Sequence, residues 1–66
     1  MKAGDRWQLW LDGRPYFHGR RYRKEVSVWA MADRRAKVRP EWAGRMEVVK
    51  LSSAGEALER IPYQEV

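Results

Sequence analysis

The chain contains no cysteine, which excludes a disulfide staple, a thiolate-ligated zinc site and a thiol nucleophile. It has a single histidine, His18, so no site can be built from several imidazoles. Long apolar runs are missing too. The longest, Val26 to Ala32, is broken by Ser27 and falls far short of the roughly 20 residues a membrane helix needs. Met1–Asp5 lacks the apolar stretch of a signal peptide. There is no glycine-rich phosphate loop, no run of carboxylates at metal-ligand spacing and no nucleophile elbow. A chain of 66 residues also leaves little room for a pocket that buries a substrate. Acid–base catalysis needs paired, tuned groups, whereas His18 stands alone in a loop bounded by Pro15 and Gly19, where an exposed side chain is expected. The expectation is a non-enzymatic protein without cofactor or metal, not associated with a membrane, working in the cytoplasm of a host cell.

The residues that are present suffice to fold. Hydrophobic residues make up 44% and charged residues 35% of the chain, too apolar for wholesale disorder. No repeat, low-complexity tract or linker divides residues 1–66, so a single small domain is expected, with a thin core, since a domain of this size buries only about 60% of its unfolded surface. The charge is unevenly spread. The formal net charge is +5, yet Met1–Arg39 holds eleven Lys/Arg against four Asp/Glu, and Pro40–Val66 holds three against five. The excess peaks between Gly13 and Lys24, where Arg14, Arg20, Arg21, Arg23 and Lys24 face no acid. Such a stretch concentrates anionic partners, and arginine, which outnumbers lysine ten to four, is the better residue for bidentate phosphate and carboxylate contacts. A merely well-solvated surface is the plainer alternative.

Hydrophobic periodicity predicts an α+β fold, one helix packed on a mainly antiparallel sheet of three or four strands in ββαββ order. Arg6–Leu11 alternates Trp7, Leu9 and Leu11 with Gln8 and Trp10, the period of a half-buried strand. Asp12-Gly13 marks a tight turn because both residues tolerate positive φ, and Pro15 restricts the adjoining segment to an edge or loop. Arg20–Val26 reads as a second strand, with Arg21, Arg23 and Glu25 on the face opposite Tyr22 and Val26. Ser27 reads as an N-cap for a helix Val28–Arg39 with an apolar side of Val28, Trp29, Ala32 and Ala36, stopped by Pro40. Trp29 is expected in the core and Trp42 as a lid on the end of the sheet. Arg45–Leu51 predicts a third strand. Its apolar residues split between faces, Met46 and Val48 on one and Val49 and Leu51 on the other, which implies burial on both sides or a bulge. Ser52–Gly55 is a turn signal, and Ala57–Ile61 a returning fourth strand. A short helix over Gly55–Arg60 is the competing reading there.

Parity places Trp10 on the face away from the helix, with Arg21 and Arg23 on the same face of the expected neighbouring strand. Three readings stay open. Trp10 is covered by Trp42 or by the Arg14–Gly19 loop as a second small core; or it anchors a protein partner, since Trp and Arg dominate interface hot spots; or it stacks on a nucleic-acid base while the arginines hold phosphates. The candidate contact residues are therefore Trp10, Arg14, Arg20, Arg21, Arg23 and Lys24. The partner class is a host protein or ribonucleoprotein complex, with DNA or RNA contacted directly or as part of it; the sequence does not specify an oligomeric state.

The order strand, strand, Ser-capped helix, strand, turn, strand resembles that of small phage and mobile-element proteins that block host machinery. Val26-Ser27, Ala32 and Ala36, Ala54-Gly55 and Ile61-Pro62 are similar in layout to some type I anti-CRISPR proteins. Trp7 to Ser52, with Ala43-Gly44 before a strand, is similar to the RNA-polymerase inhibitor of T7-like phages. Gly19-Arg20-Arg21-Tyr22-Arg23-Lys24 resembles the basic second strand of the arm-binding domain of tyrosine recombinases, which reads DNA with its sheet. The first two likenesses imply an inhibitor that occupies a surface of a nucleic-acid-processing complex, with anti-CRISPR action leading. The third implies a DNA-binding sheet module of the integrase-arm or regulatory kind. All three are likenesses of layout, and no functional residue carries over from them.

Overall fold

The computed structural model describes residues 6–64; Met1–Asp5, the segment that lacks a signal-peptide pattern, lies outside the described residues. One helix packs on a four-stranded antiparallel sheet, as the periodicity predicts. The strands are β1 (Arg6–Leu11), β2 (Arg14–Pro15), β3 (Met46–Leu51) and β4 (Ala57–Pro62), in spatial order β2-β1-β3-β4, and the helix α1 spans Glu25–Val38.

The β1–β2 hairpin is set by its two-residue loop. Asp12 and Gly13 have φ of 55° and 77°, the doubly positive pair of a turn whose twist matches that of the flanking strands. Leu11 pairs with Arg14 and Trp10 with Pro15; proline is tolerated on this edge strand because it lacks only an outward-facing N–H, and the Tyr16 N–H still reaches the Leu9 carbonyl at 2.8 Å. Register between β1 and β3 sets Leu9 against Val48 and Leu11 against Met46 on one face, and Gln8 against Val49 and Trp10 against Glu47 on the other. The β3–β4 turn is built by Ser52, whose Oγ accepts the backbone N–H of Ala54 at 3.2 Å and of Glu56 at 3.1 Å. The segment after it is strand, so the competing helical reading of 55–60 does not hold.

The second strand is where expectation and structure differ. Arg20–Val26 does not form a continuous strand. Only Tyr22 bridges to Trp7, by reciprocal backbone bonds of 2.7 and 2.8 Å, while β2 supplies the pairing further along β1. Between them the chain makes a 3-10 turn at Phe17–Gly19, with positive φ at both His18 and Gly19, which is incompatible with extended pairing. The helix also begins earlier than Ser27 suggests. Lys24 is the N-cap residue, without a side-chain cap bond, and Ser27 lies inside the first turn. Glu25 favours this start. Its carboxylate sits at the positive end of the helix dipole and accepts the Trp29 indole N–H at 2.8 Å. The helix stops before Pro40, its last turn closed by the Arg39 N–H on the Arg35 carbonyl at 2.7 Å.

Val28, Ala32 and Ala36 form the buried stripe of α1, and they pack with Leu9, Met46, Val48 and Tyr63 into the main core. The alanines let the helix lie close to the sheet. Full burial of side chains such as Leu9, Val28 and Val48 contributes roughly 1.5–3 kcal/mol each. Tyr63 is a core residue the periodicity did not single out. Its hydroxyl donates to Asp33 Oδ1 at 2.6 Å, which ties the chain after β4 to the helix. Trp29, expected in the core, is instead half-buried at its margin, tilted against Tyr63 with ring centroids 5.9 Å apart. Trp42, in the 3-10 turn Pro40–Arg45, meets Tyr16 edge-on at 5.6 Å and packs against the same core.

Burial on both faces explains the split pattern of β3. Val49 and Leu51 are as buried as Met46 and Val48, on the side of the sheet away from α1. There is also a register shift between Lys50 and Leu51 in the pairing with β4.

Candidate binding surface

The six candidate contact residues separate into two groups at opposite ends of the sheet. Trp10 and Arg14 lie at the β1–β2 hairpin end. Tyr22 pairs with Trp7 at the far end of β1, so Arg20 to Lys24 run past that end. The guanidinium of Arg21 lies over Gly55, where a Cβ would come within 2.9 Å of it; Gly55 follows Leu51, the residue opposite Arg6. From Trp10's partner Glu47 to Leu51 alone is about 13 Å of strand. The expected face shared by Trp10, Arg21 and Arg23 depended on a continuous second strand, which does not form.

Trp10 itself is half-buried within a polar network. Its indole N–H donates to Gln8 Oε1 at 2.6 Å, and Gln8 Nε2 donates to the Gly19 carbonyl at 2.7 Å. The Arg60 guanidinium stands 5.0 Å from the Trp10 ring centroid and donates to Glu47 Oε1 at 2.7 Å, which raises the pKa of Arg60 through that hydrogen bond. Gln8 is buried, and its bond to Gly19 fastens the loop after β2 over this side of β1. The group over the Trp10 ring is Arg60, and the Arg14–Gly19 loop is tied to Trp10 through Gln8, while Trp42 packs against the main core.

The basic stretch is different in kind. Arg14, Arg20, Arg21, Arg23 and Lys24 are exposed and make no ion pair among the described residues, whereas Arg39, Arg45 and Arg60 are matched to acids. Arg45 Nε donates to Asp12 Oδ1 at 2.7 Å and its Nη2 to the other carboxylate oxygen. Arg60 meets Glu47, and Arg39 approaches Glu41 at 3.9 Å. The hydrogen bond from Arg45, with its charge, holds the Asp12 carboxyl below the ordinary value of 3.8. Arg20 stacks over the ring of Tyr22 at 5.5 Å, so this unpaired charge is partly preorganised.

The structure adds two cations that the sequence pattern did not select. A groove of about 480 Å3 runs along α1, with Val26, Ala30 and Met31 as an apolar floor, Tyr22 beside them, and Arg34 and Arg35 further along the helix. Tyr22 is held there by its hydroxyl, which donates to Met31 Sδ at 3.3 Å. Val26 is 66% exposed, and Arg35 Nε is buried without a hydrogen-bond partner. The spacing of residues 26, 30 and 34 at helical intervals was a sequence signal, masked by the reading of Val26 as strand. Among the described residues no three His, Cys, Asp or Glu side chains gather where they could hold a metal ion, and no helix is long and apolar enough to cross a membrane. Comparison with protein-family models, with curated proteins and with solved structures finds no match to this chain.

Proposed function

We propose that this chain is a non-enzymatic binding protein that occupies a surface of a larger nucleic-acid-processing assembly, the inhibitory mode implied by its likeness in layout to anti-CRISPR proteins. The observation that carries the reading is the contrast in charge pairing. Arg20, Arg21, Arg23 and Lys24 are exposed and have no acid partner among the described residues, while Arg45 and Arg60 are neutralised within the fold. Unpaired arginines at one end of a small domain attract an anionic surface and leave their charge available to it. Trp10, engaged with Gln8 and Arg60, is assigned to the fold, and the contact is assigned to the Arg20–Lys24 segment. A protein or ribonucleoprotein partner is favoured over bare DNA, because sequence-tolerant strand binding uses several aromatic platforms along one groove and here Tyr22 is the aromatic within the segment.

The test is capture of a specific partner from nuclease-treated host lysate by the wild-type chain and by R21E/R23E. Capture by wild type and its loss in the variant is the expected result. The contrary result is tight binding to naked duplex DNA, with log K falling by about 0.9 per unit log salt for each phosphate neutralised and a slope flattened by about two such increments in R21E/R23E. That outcome would replace the proposal with the DNA-binding sheet module.

A further inference from the structure

We infer that the groove on α1 is a docking site for an acidic amphipathic helix of a protein partner; this rests on the chain being a binding protein and names the chemistry of its target. The groove follows one helix face from Val26 to Arg34, about 12 Å at the rise of an α-helix, which accommodates two turns of a second helix laid along it. Its floor is apolar, and its centre is Ala30, small enough for two helices to approach to about 8–10 Å. Val26 and Met31 on either side offer apolar surface to side chains spaced i, i+4.

The charge around that floor has one sign. Arg34 and Arg35 line the groove, and Arg23 and Lys24 precede it in the chain between Tyr22 and Val26. The two acids of α1 are engaged elsewhere, Glu25 with the Trp29 indole and Asp33 with the Tyr63 hydroxyl. Arg34 and Arg35 bring guanidinium groups to the groove, and a carboxylate is the acceptor that suits a guanidinium best. An occupant with leucine-like residues at its centre and carboxylates at its ends meets both needs. A second copy of this chain is a poor match, since an isologous contact would set these cations against one another on a chain of net charge +5. Nucleic acid would satisfy the rim and leave the apolar floor without a partner.

The experiment measures fluorescence anisotropy of the full chain with a labelled synthetic helix of about four turns carrying leucines at i and i+4 between pairs of glutamates. The peptide is expected to bind. Replacing its glutamates by glutamine, or its leucines by alanine, should weaken binding about ten-fold. Arg34→Glu should do the same, and Val26→Gln should weaken it about five-fold, because an apolar contact is lost. Both positions are exposed, and circular dichroism of each variant serves as the check on folding. Equal binding of the glutamate and glutamine peptides, indifference to Val26→Gln, or no binding would overturn the inference. So would duplex DNA that depends on Arg34 and not on Val26, or self-association abolished by Val26→Gln. Failure here is separable from failure of the wider reading. If lysate capture needs Arg21 and Arg23 and ignores both groove variants, the groove inference falls and the binding function stands. If the peptide binds with these dependences while capture fails, the groove stands and the inhibitor reading falls.

Discussion

Under α1 the sheet is sealed almost entirely by carbon. Leu9, Met46 and Val48 meet Val28, Ala32 and Ala36, and Tyr63 closes the cluster. On the other side Val49 and Leu51 are just as buried, but among the described residues no second α-helix covers them. That side carries Gln8 bonded to Trp10 and to the Gly19 carbonyl, with Arg60 spanning the Trp10 ring and Glu47. One helix covers one face, and the second face is closed by side chains that are apolar along their stems and polar at their tips. The two faces should therefore fail differently, one through lost volume and the other through lost hydrogen bonds.

The largest effect is expected on the helix side. Leu9→Ala removes a fully buried side chain at the centre of the main core and should cost about 2–5 kcal/mol. A domain of this size has roughly 3–5 kcal/mol to lose, so urea unfolding followed by far-UV circular dichroism should find the variant largely unfolded or nearly so in water. A loss below about 1 kcal/mol would show that this face is not the principal core. On the other side Gln8→Ala leaves the Gly19 carbonyl and the Trp10 indole N–H without their partner. It should cost about 1–3 kcal/mol and release the Trp10 fluorescence from its present environment. If Gln8→Ala costs as much as Leu9→Ala, the contrast between the faces is lost. Arg60→Met keeps the stem over Trp10 and removes the exposed pair with Glu47, so little or no shift of the midpoint is expected in the same urea experiment.

The residues show why parts of this arrangement could be read from the sequence and parts could not. Alternation in Trp7–Leu11, the Asp12-Gly13 pair and the split pattern of β3 are local signals, and each is realised in the fold. The Ala32 and Ala36 stripe is equally local. Arg20–Val26 failed because its alternation competes with positive φ at His18 and Gly19 and with a helix start that Glu25 favours; neither competitor has a periodic signature. Tyr63 and Gln8 were missed because the groups that bury them are distant in sequence. Tyr63 is fixed by Asp33 and by the Met46 carbonyl, and Gln8 by Gly19. The charged surface shows the same division. The excess of cations was visible in composition, but which of them remain unpaired depends on Asp12 reaching Arg45 and Glu47 reaching Arg60 across the sheet.

The smallest expected effect concerns the hairpin end, where the two faces meet and Asp12 joins Arg45. The pair is bidentate and exposed, so its influence is best read as a pH dependence. The hydrogen bond from Arg45 is the main cause that holds the Asp12 carboxyl below its ordinary 3.8 in the folded chain. Between the folded and unfolded values the unfolded chain binds more protons, so stability rises with pH across that window. The contribution is complete above the unfolded value, and it is lost as pH falls through 3.8 toward the lower folded value. Asp12→Asn removes the titration while keeping a residue that tolerates the φ of 55° required by the turn. Thermal unfolding from about pH 5 to about pH 2 should therefore show a shallower acid decline in D12N than in wild type. The difference should shrink in about 1 M salt, where exposed pairs are screened. Parallel declines in the two proteins would mean that the pair adds nothing to the fold.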